Sequence, residues 1–179
     1  MGTTFVIFDG GEPLTYPELE ALISYVDPEK AISGMFTSGV GLTEERARSF
    51  KAAGLYSLTV SFDSAYEEKH DYVRGRKGVF KSAVEAVKNG LAAGLLVNIY
   101  VVLSRDNVNE LDELYTLATD LGVHELSFYE IVPTGRWMDH ASEIMTPKDL
   151  RKFDTFVSRA REKEGPRVFP IPQVMKTTG

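Results

Sequence analysis

Residues 4–23 read TFVIFDGGEPLTYPELEALI. The apolar run Phe5 to Phe8 has the composition of a buried strand, and residues 16–26 carry apolar positions at helical spacing. Between them stand Asp9, Gly10, Gly11, Glu12 and Pro13. Glycines let backbone amides and carbonyls approach a ligand and adopt positive φ. Glu12 adds a charge suited to an ammonium group, and Pro13 removes a donor and stiffens the exit. The competing explanation is a tight turn, a solvated acid and a proline that opens a helix. Either way the stretch is a strand, a loop and a helix, which is one βα unit.

The same alternation continues along the chain. Strands are expected at 32–37, 55–63, 95–103 and 125–132, and helices at 43–53, 79–93, 109–121 and 146–164. Thr43 with Glu44 and Glu45 forms an N-terminal signature, and Gly54, Gly94 and Gly122 stop their helices. Thr146, Pro147 and Asp149 open the last helix. The run LLVNIYVVL at 95–103 is apolar enough for a strand covered on both faces. Five strands separated by helices predict an α/β fold of parallel strands with right-handed crossovers, as a barrel, part of one, or an open doubly wound sheet. Residues 1–165 form the expected core domain. Residues 166–179, with three of the eight prolines, are expected to begin a further segment.

In every version of this architecture, chemistry belongs at the carboxyl ends of the strands. The unusual residues fall there: Gly10 to Pro13 after the first strand, Thr37-Ser38-Gly39 after the second, Ser61 and Asp63 after the third, and EIVPTGRW after the fifth. Thr37 and Ser61 suit a carboxylate or sugar hydroxyls, or serve as strand-end caps. Arg74 suits a carboxylate, or is a surface arginine beside Asp71. Asp63, His70 and Asp71 match no known metal-ligand spacing.

Composition narrows the field. At 179 residues the chain supports one sizeable core. A net charge of −6 argues against a nucleic-acid surface. No apolar run approaches the roughly 20 residues of a membrane helix, and no charged-then-apolar leader opens the chain. A cytoplasmic location is expected. There is no cysteine, which excludes disulfides, thiol catalysis and thiolate-held metal on these residues.

In order, FDGGEPLTYPEL, TSGVGLTEE, LTVSFDSAYEEKHDYVRGRKGVF, VLSRDNVNELDELYTLATDLGV and YEIVPTGRW resemble the core domain of radical S-adenosylmethionine enzymes. The likeness is to the group with molybdenum-cofactor and PQQ biosynthesis proteins and peptide-maturing members. It implies a partial TIM-like barrel with S-adenosylmethionine across the strand ends. Gly10, Gly11, Glu12 and Pro13 would hold the methionine amine, Thr37 and Ser61 the carboxylate or ribose, and Ile131 would border the adenine. Arg74 matches a frequent family arginine. Departures are Asp9 for a small residue, Ser38 for Asn and Ser64 for Gly.

The CxxxCxxC segment that binds a [4Fe–4S] cluster in the family's first βα unit has no counterpart, so the chain resembles a segment of a longer enzyme. Its complete form would cleave S-adenosylmethionine reductively to a 5′-deoxyadenosyl radical, using an electron donor, and abstract hydrogen from a peptide or small-molecule substrate. The alternatives are a cysteine-free, non-catalytic relative that binds a nucleotide-like ligand or a protein, and an unrelated aldolase-like or phosphate-binding barrel. Against the last, VPTGRW is a poor phosphate loop and no expected strand interior contains lysine. Phe128, Tyr129, Trp137 and Met138 suit either a substrate pocket or aromatic packing.

Overall fold

The computed structural model describes residues 4–130 and 142–170. Six strands form one sheet: β1 (Phe5–Phe8), β2 (Ile32–Thr37), β3 (Ser57–Ser61), β4 (Leu96–Leu103), β5 (Glu125–Glu130) and β6 (Arg167–Pro170). Their spatial order is the chain order, and every neighbouring pair is parallel. This decides between the two topologies left open by the sequence. A doubly wound sheet reverses its strand order at a switch point. An unreversed order with crossovers of one hand leaves all helices on one face, which is a (β/α) barrel, here open between β1 and β6.

The helices are α1 (Leu19–Ser24), α2 (Glu44–Ala53), α3 (Glu67–Val73), α4 (Val79–Ala92), α5 (Leu111–Leu121) and α6 (Pro147–Ala160). Met35, Leu58, Val60, Val97, Ile99, Val101, Leu126 and Phe128 alternate along the strands and are buried beneath these helices. The caps work as expected. The Thr43 hydroxyl accepts from Arg46 N–H at 3.2 Å, and Thr146 and Asp149 close a reciprocal capping box on α6. Gly90 lets α4 lie close to the sheet, since a Cβ there would stand 2.6 Å from a Leu58 methyl. No helix among the described residues is long and apolar enough to cross a membrane.

Four expectations shift. The first helix starts at Leu19, because Pro13–Thr15 forms a 3-10 turn and Pro17 holds Tyr16 extended. The run at 95–103 is not covered on both faces: Val97, Ile99, Val101 and Leu103 lie under helices, while Leu96, Asn98, Tyr100 and Val102 are half-buried on the other side. The polar stretch after β3 holds α3, whose inward residues are His70 and Asp71, so no apolar period marks it. Arg167–Pro170 pairs with β5 as a sixth strand, too short and polar-flanked to announce itself.

Candidate functional site

The loop after β1 leads directly into the site. Gly10 and Gly11 have φ of +93° and +53°, and a Cβ on either would meet only open space. Their positive φ, not crowding, is therefore what calls for glycine. Among the described residues their carbonyls accept no hydrogen bond. The next residue does not point away with them. Glu12 Oε1 accepts from Thr37 Oγ1 at 2.5 Å and Leu14 N–H at 3.2 Å. Its Oε2 accepts from Ser38 N–H at 2.8 Å and from the Ser38 hydroxyl. Thr37 Oγ1 in turn accepts from Gly39 N–H at 3.0 Å.

Four donors fill the roughly four lone-pair positions of a carboxylate. Glu12 thus staples the β1 loop to the end of β2, and Thr37 spends its hydroxyl on that staple. The two residues stand at one corner of the carboxyl edge, but they meet each other. Among the described residues, the acceptors left without a donor there are the glycine carbonyls. Gly39 tightens the same corner: its φ is +83°, and a Cβ would lie 2.7 Å from that of Ala86.

Ser61 closes β3 in register with Tyr100, half-buried on the face without helices, and its hydroxyl bonds to no described group. Arg74, just past α3, donates from Nε to Asp63. It does not pair with Asp71, whose carboxylate caps α4 by accepting from Gly78 N–H at 2.5 Å and Phe80 N–H at 2.9 Å. The amides of Phe80 and Gly78 hold the Asp71 pKa below its ordinary value. His70 is fully buried against Phe62 and Phe80, and its Nδ1 accepts from Asp63 N–H at 3.1 Å. Burial pushes its pKa down, against the attraction of Asp63.

This whole lip is clamped to the loop after β4. Glu110 accepts from Ser64 Oγ at 2.5 Å, from Ala65 N–H at 3.1 Å and from Lys69. Asn107 Nδ2 donates to the Asp63 carbonyl at 3.0 Å. Asp63, His70 and Asp71 accordingly serve architecture, and no cluster suited to a metal ion occurs among the described residues. Ile131 lies outside the described residues.

The uncovered face is not a packed barrel interior of branched aliphatics. It carries Ser57, Thr59, Ser61, Asn98 and Ser127, with Asn98 Nδ2 donating to Ser127 Oγ at 3.1 Å. Above them Tyr100 meets Tyr129 at 4.3 Å between ring centroids, and Phe36 edge-on at 5.4 Å. The Tyr100 pKa is pushed up to about 12 by burial, then by Tyr129 and Asp9. Sequence reasoning placed Ser38 and Asp63 at this edge without a ligand role and did not place Tyr100 there; period-two alternation was the available signal for Tyr100. A groove of about 500 Å³ lies on the helical side between α5 and α6, lined among others by Asn109, Asp112, Arg151 and Arg159.

The model of the Radical SAM superfamily matches residues 1–118. The chain belongs to that superfamily. It is 32% identical over 152 residues to the AdoMet-dependent heme synthase of Methanosarcina barkeri, covering 85% of this chain and 43% of that protein. To the mycofactocin maturase MftC of Mycobacterium tuberculosis it is 34% identical over 162 residues, 89% of this chain and 41% of the relative. The chain therefore spans less than half the length of these curated relatives. The crystal structure of Streptococcus suis SuiB bound to S-adenosylmethionine superposes with a TM-score of 0.75 at 13% identity, over 95% of this chain and 39% of that one. The fold is thus the TIM-like barrel of radical SAM proteins, whose cofactors are S-adenosylmethionine and a [4Fe–4S] cluster.

The two cofactors fit this chain differently. The Gly10 and Gly11 carbonyls and the Ser61 hydroxyl, without partners among the described residues, suit a zwitterionic sulfonium amino acid. The cluster requires thiolates, and with no cysteine this chain offers none.

Proposed function

We propose that this chain is the S-adenosylmethionine-binding portion of a radical SAM enzyme. In its complete, cluster-bearing form the enzyme would cleave S-adenosylmethionine reductively to a 5′-deoxyadenosyl radical and abstract hydrogen from a peptide or a cofactor precursor. An external electron donor and a cytoplasmic setting belong to this reading. The observation that carries it is the stapled loop: Glu12 held by Thr37 and Ser38, with Gly10 and Gly11 open beside it.

In this reading the glycine carbonyls accept the methionine ammonium. Glu12 and Thr37 hold the loop that presents them, and Pro13, buried, fixes its exit. The Ser61 hydroxyl donates to the methionine carboxylate or the ribose. Arg74, oriented by Asp63, borders the same edge, and Ile131 flanks the adenine. The superfamily's cluster supplies the electron, and its ligands come from outside this chain.

The test is reduction of the complete, cluster-loaded protein with S-adenosylmethionine present, with 5′-deoxyadenosine measured. Formation by the wild type and its loss in Glu12→Ala are expected. A cluster-loaded protein that binds S-adenosylmethionine but yields no 5′-deoxyadenosine would overturn the catalytic part. The absence of cysteine favours a second reading, a non-catalytic relative that keeps the ligand site. An in-frame CxxxCxxC upstream of Met1 in the gene would dismiss it.

A further inference from the structure

The uncovered face of the sheet adjoins the proposed S-adenosylmethionine site at Ser61 and Gly10, and has a charge pattern that the proposed roles leave unexplained. Phe36, Tyr100 and Tyr129 touch diagonally across β2, β4 and β5, all half-buried and none beneath a helix. Aromatic core packing would bury such rings against aliphatic neighbours; here Val102 stands beside Tyr129, but the other neighbours on the strands are Thr59, Ser61, Asn98 and Ser127. Neither phenol hydroxyl has a hydrogen-bond partner among the described residues. Asn98 Oδ1 is likewise unpartnered among them.

Asp9 stands one residue past β1, at the position that alternation assigns to the face of Phe5 and Ile7. Its carboxylate accepts only from its neighbour, Gly10 N–H, at 2.7 Å, and forms no ion pair with a described base. Among described residues at uncovered-face positions of the six strands, the only base is Arg167. It sits at the opposite, amino end of β6, 4.4 Å from the Phe169 ring centroid. Among the described residues, the carboxyl half of the face therefore offers aromatic π faces, lone-pair acceptors and one carboxylate without an ion-pair partner.

We propose that the wall of Phe36, Tyr100 and Tyr129, facing Asp9, takes a cationic group of the substrate, an ammonium or guanidinium such as a lysine or arginine side chain of a peptide. Ring quadrupoles attract a cation over their faces, and the carboxylate adds direct charge attraction that strengthens as water is excluded. The field of Asp9 that disfavours a Tyr100 phenolate is the field that favours a cation beside it. This assignment rests on the radical SAM reading, since it names the substrate class for the same barrel mouth.

The experiment uses two probes that differ by the terminal ammonium alone, N-acetyl-lysine N-methylamide and its neutral counterpart N-acetyl-norleucine N-methylamide. Each is titrated into the chain and followed by amide NMR shifts, with S-adenosylmethionine titrated separately. The lysine probe should bind at least about tenfold more tightly than the norleucine probe. Asp9→Asn, at an exposed position, should cut lysine binding several-fold. Tyr100→Phe should keep it, and Tyr100→Leu should lose it.

Equal binding of the two probes, or lysine binding indifferent to Asp9→Asn, overturns the proposal. So does an Asp9→Asn effect confined to S-adenosylmethionine, which would give the wall to that ligand. Intact S-adenosylmethionine binding without lysine selectivity refutes only the cation site. Lysine selectivity without S-adenosylmethionine binding supports the cation site and refutes the cofactor reading.

Discussion

Alternate residues of the same strands live in two environments. On the helix side of β3, β4 and β5, Leu58, Val60, Ile99, Val101, Leu126 and Phe128 are at most 1% exposed. On the other side their neighbours Ser57, Thr59, Asn98, Tyr100, Ser127 and Tyr129 are polar or aromatic; Thr59 and Ser127 are buried and the other four half-buried. A buried polar group without a partner costs free energy, so a face that carries this many hydroxyls and amides is one that expects to be wet or liganded. The helix side makes the fold, and the opposite side is left free for chemistry.

That contrast is open to direct attack. Ile99 and Asn98 are adjacent in β4 and point to opposite faces. Ile99→Ala should cost about 2–5 kcal/mol in denaturant unfolding. Asn98→Ala, which gives up one hydrogen bond to Ser127, should cost about 1 kcal/mol. Similar losses at the two positions would break the distinction.

Thr37 tests the boundary between the faces, because its buried hydroxyl serves the Glu12 staple. Thr37→Val should destabilise by about 1–3 kcal/mol, since it leaves a carboxylate oxygen short of a donor. Thr37→Ser should recover most of that loss; if valine and serine behave alike, the staple contributes nothing.

His70 gives a smaller, pH-dependent effect. Burial holds its folded-state pKa below the ordinary value of 6.5. Below about pH 6.5 the unfolded chain therefore binds a proton that the folded chain refuses, and stability falls as the pH drops. The slope is at most about 1.4 kcal/mol per pH unit, and His70→Phe should flatten it between pH 5 and 7, roughly the range over which histidine titrates. An unchanged slope would deny the burial effect. Smallest of all, Lys88→Ala removes an exposed pair with Glu85 and should shift stability by less than about 0.5 kcal/mol.

Much of this was legible in the sequence, for identifiable reasons. The helices with an apolar stripe, α2, α4, α5 and α6, announced both their period and their caps. β6 and α3 did not. One is four residues long, and the other turns His70 and Asp71 inward where a hydrophobic pattern would be sought. The glycines and Glu12 were also legible as a candidate site. The destination of the Glu12 carboxylate was not, because an acid after two glycines reads the same whether it faces a ligand or a neighbouring strand. Only the register that sets Thr37 and Ser38 beside it, 25 and 26 residues away in sequence, decides the matter.

The most direct measurement is calorimetric titration of S-adenosylmethionine into the complete, cluster-loaded protein and its Glu12→Ala variant, with both confirmed folded. If the staple presents the amine-binding carbonyls, the variant should bind at least about tenfold more weakly, roughly 1.4 kcal/mol. Indistinguishable affinities would contradict the account.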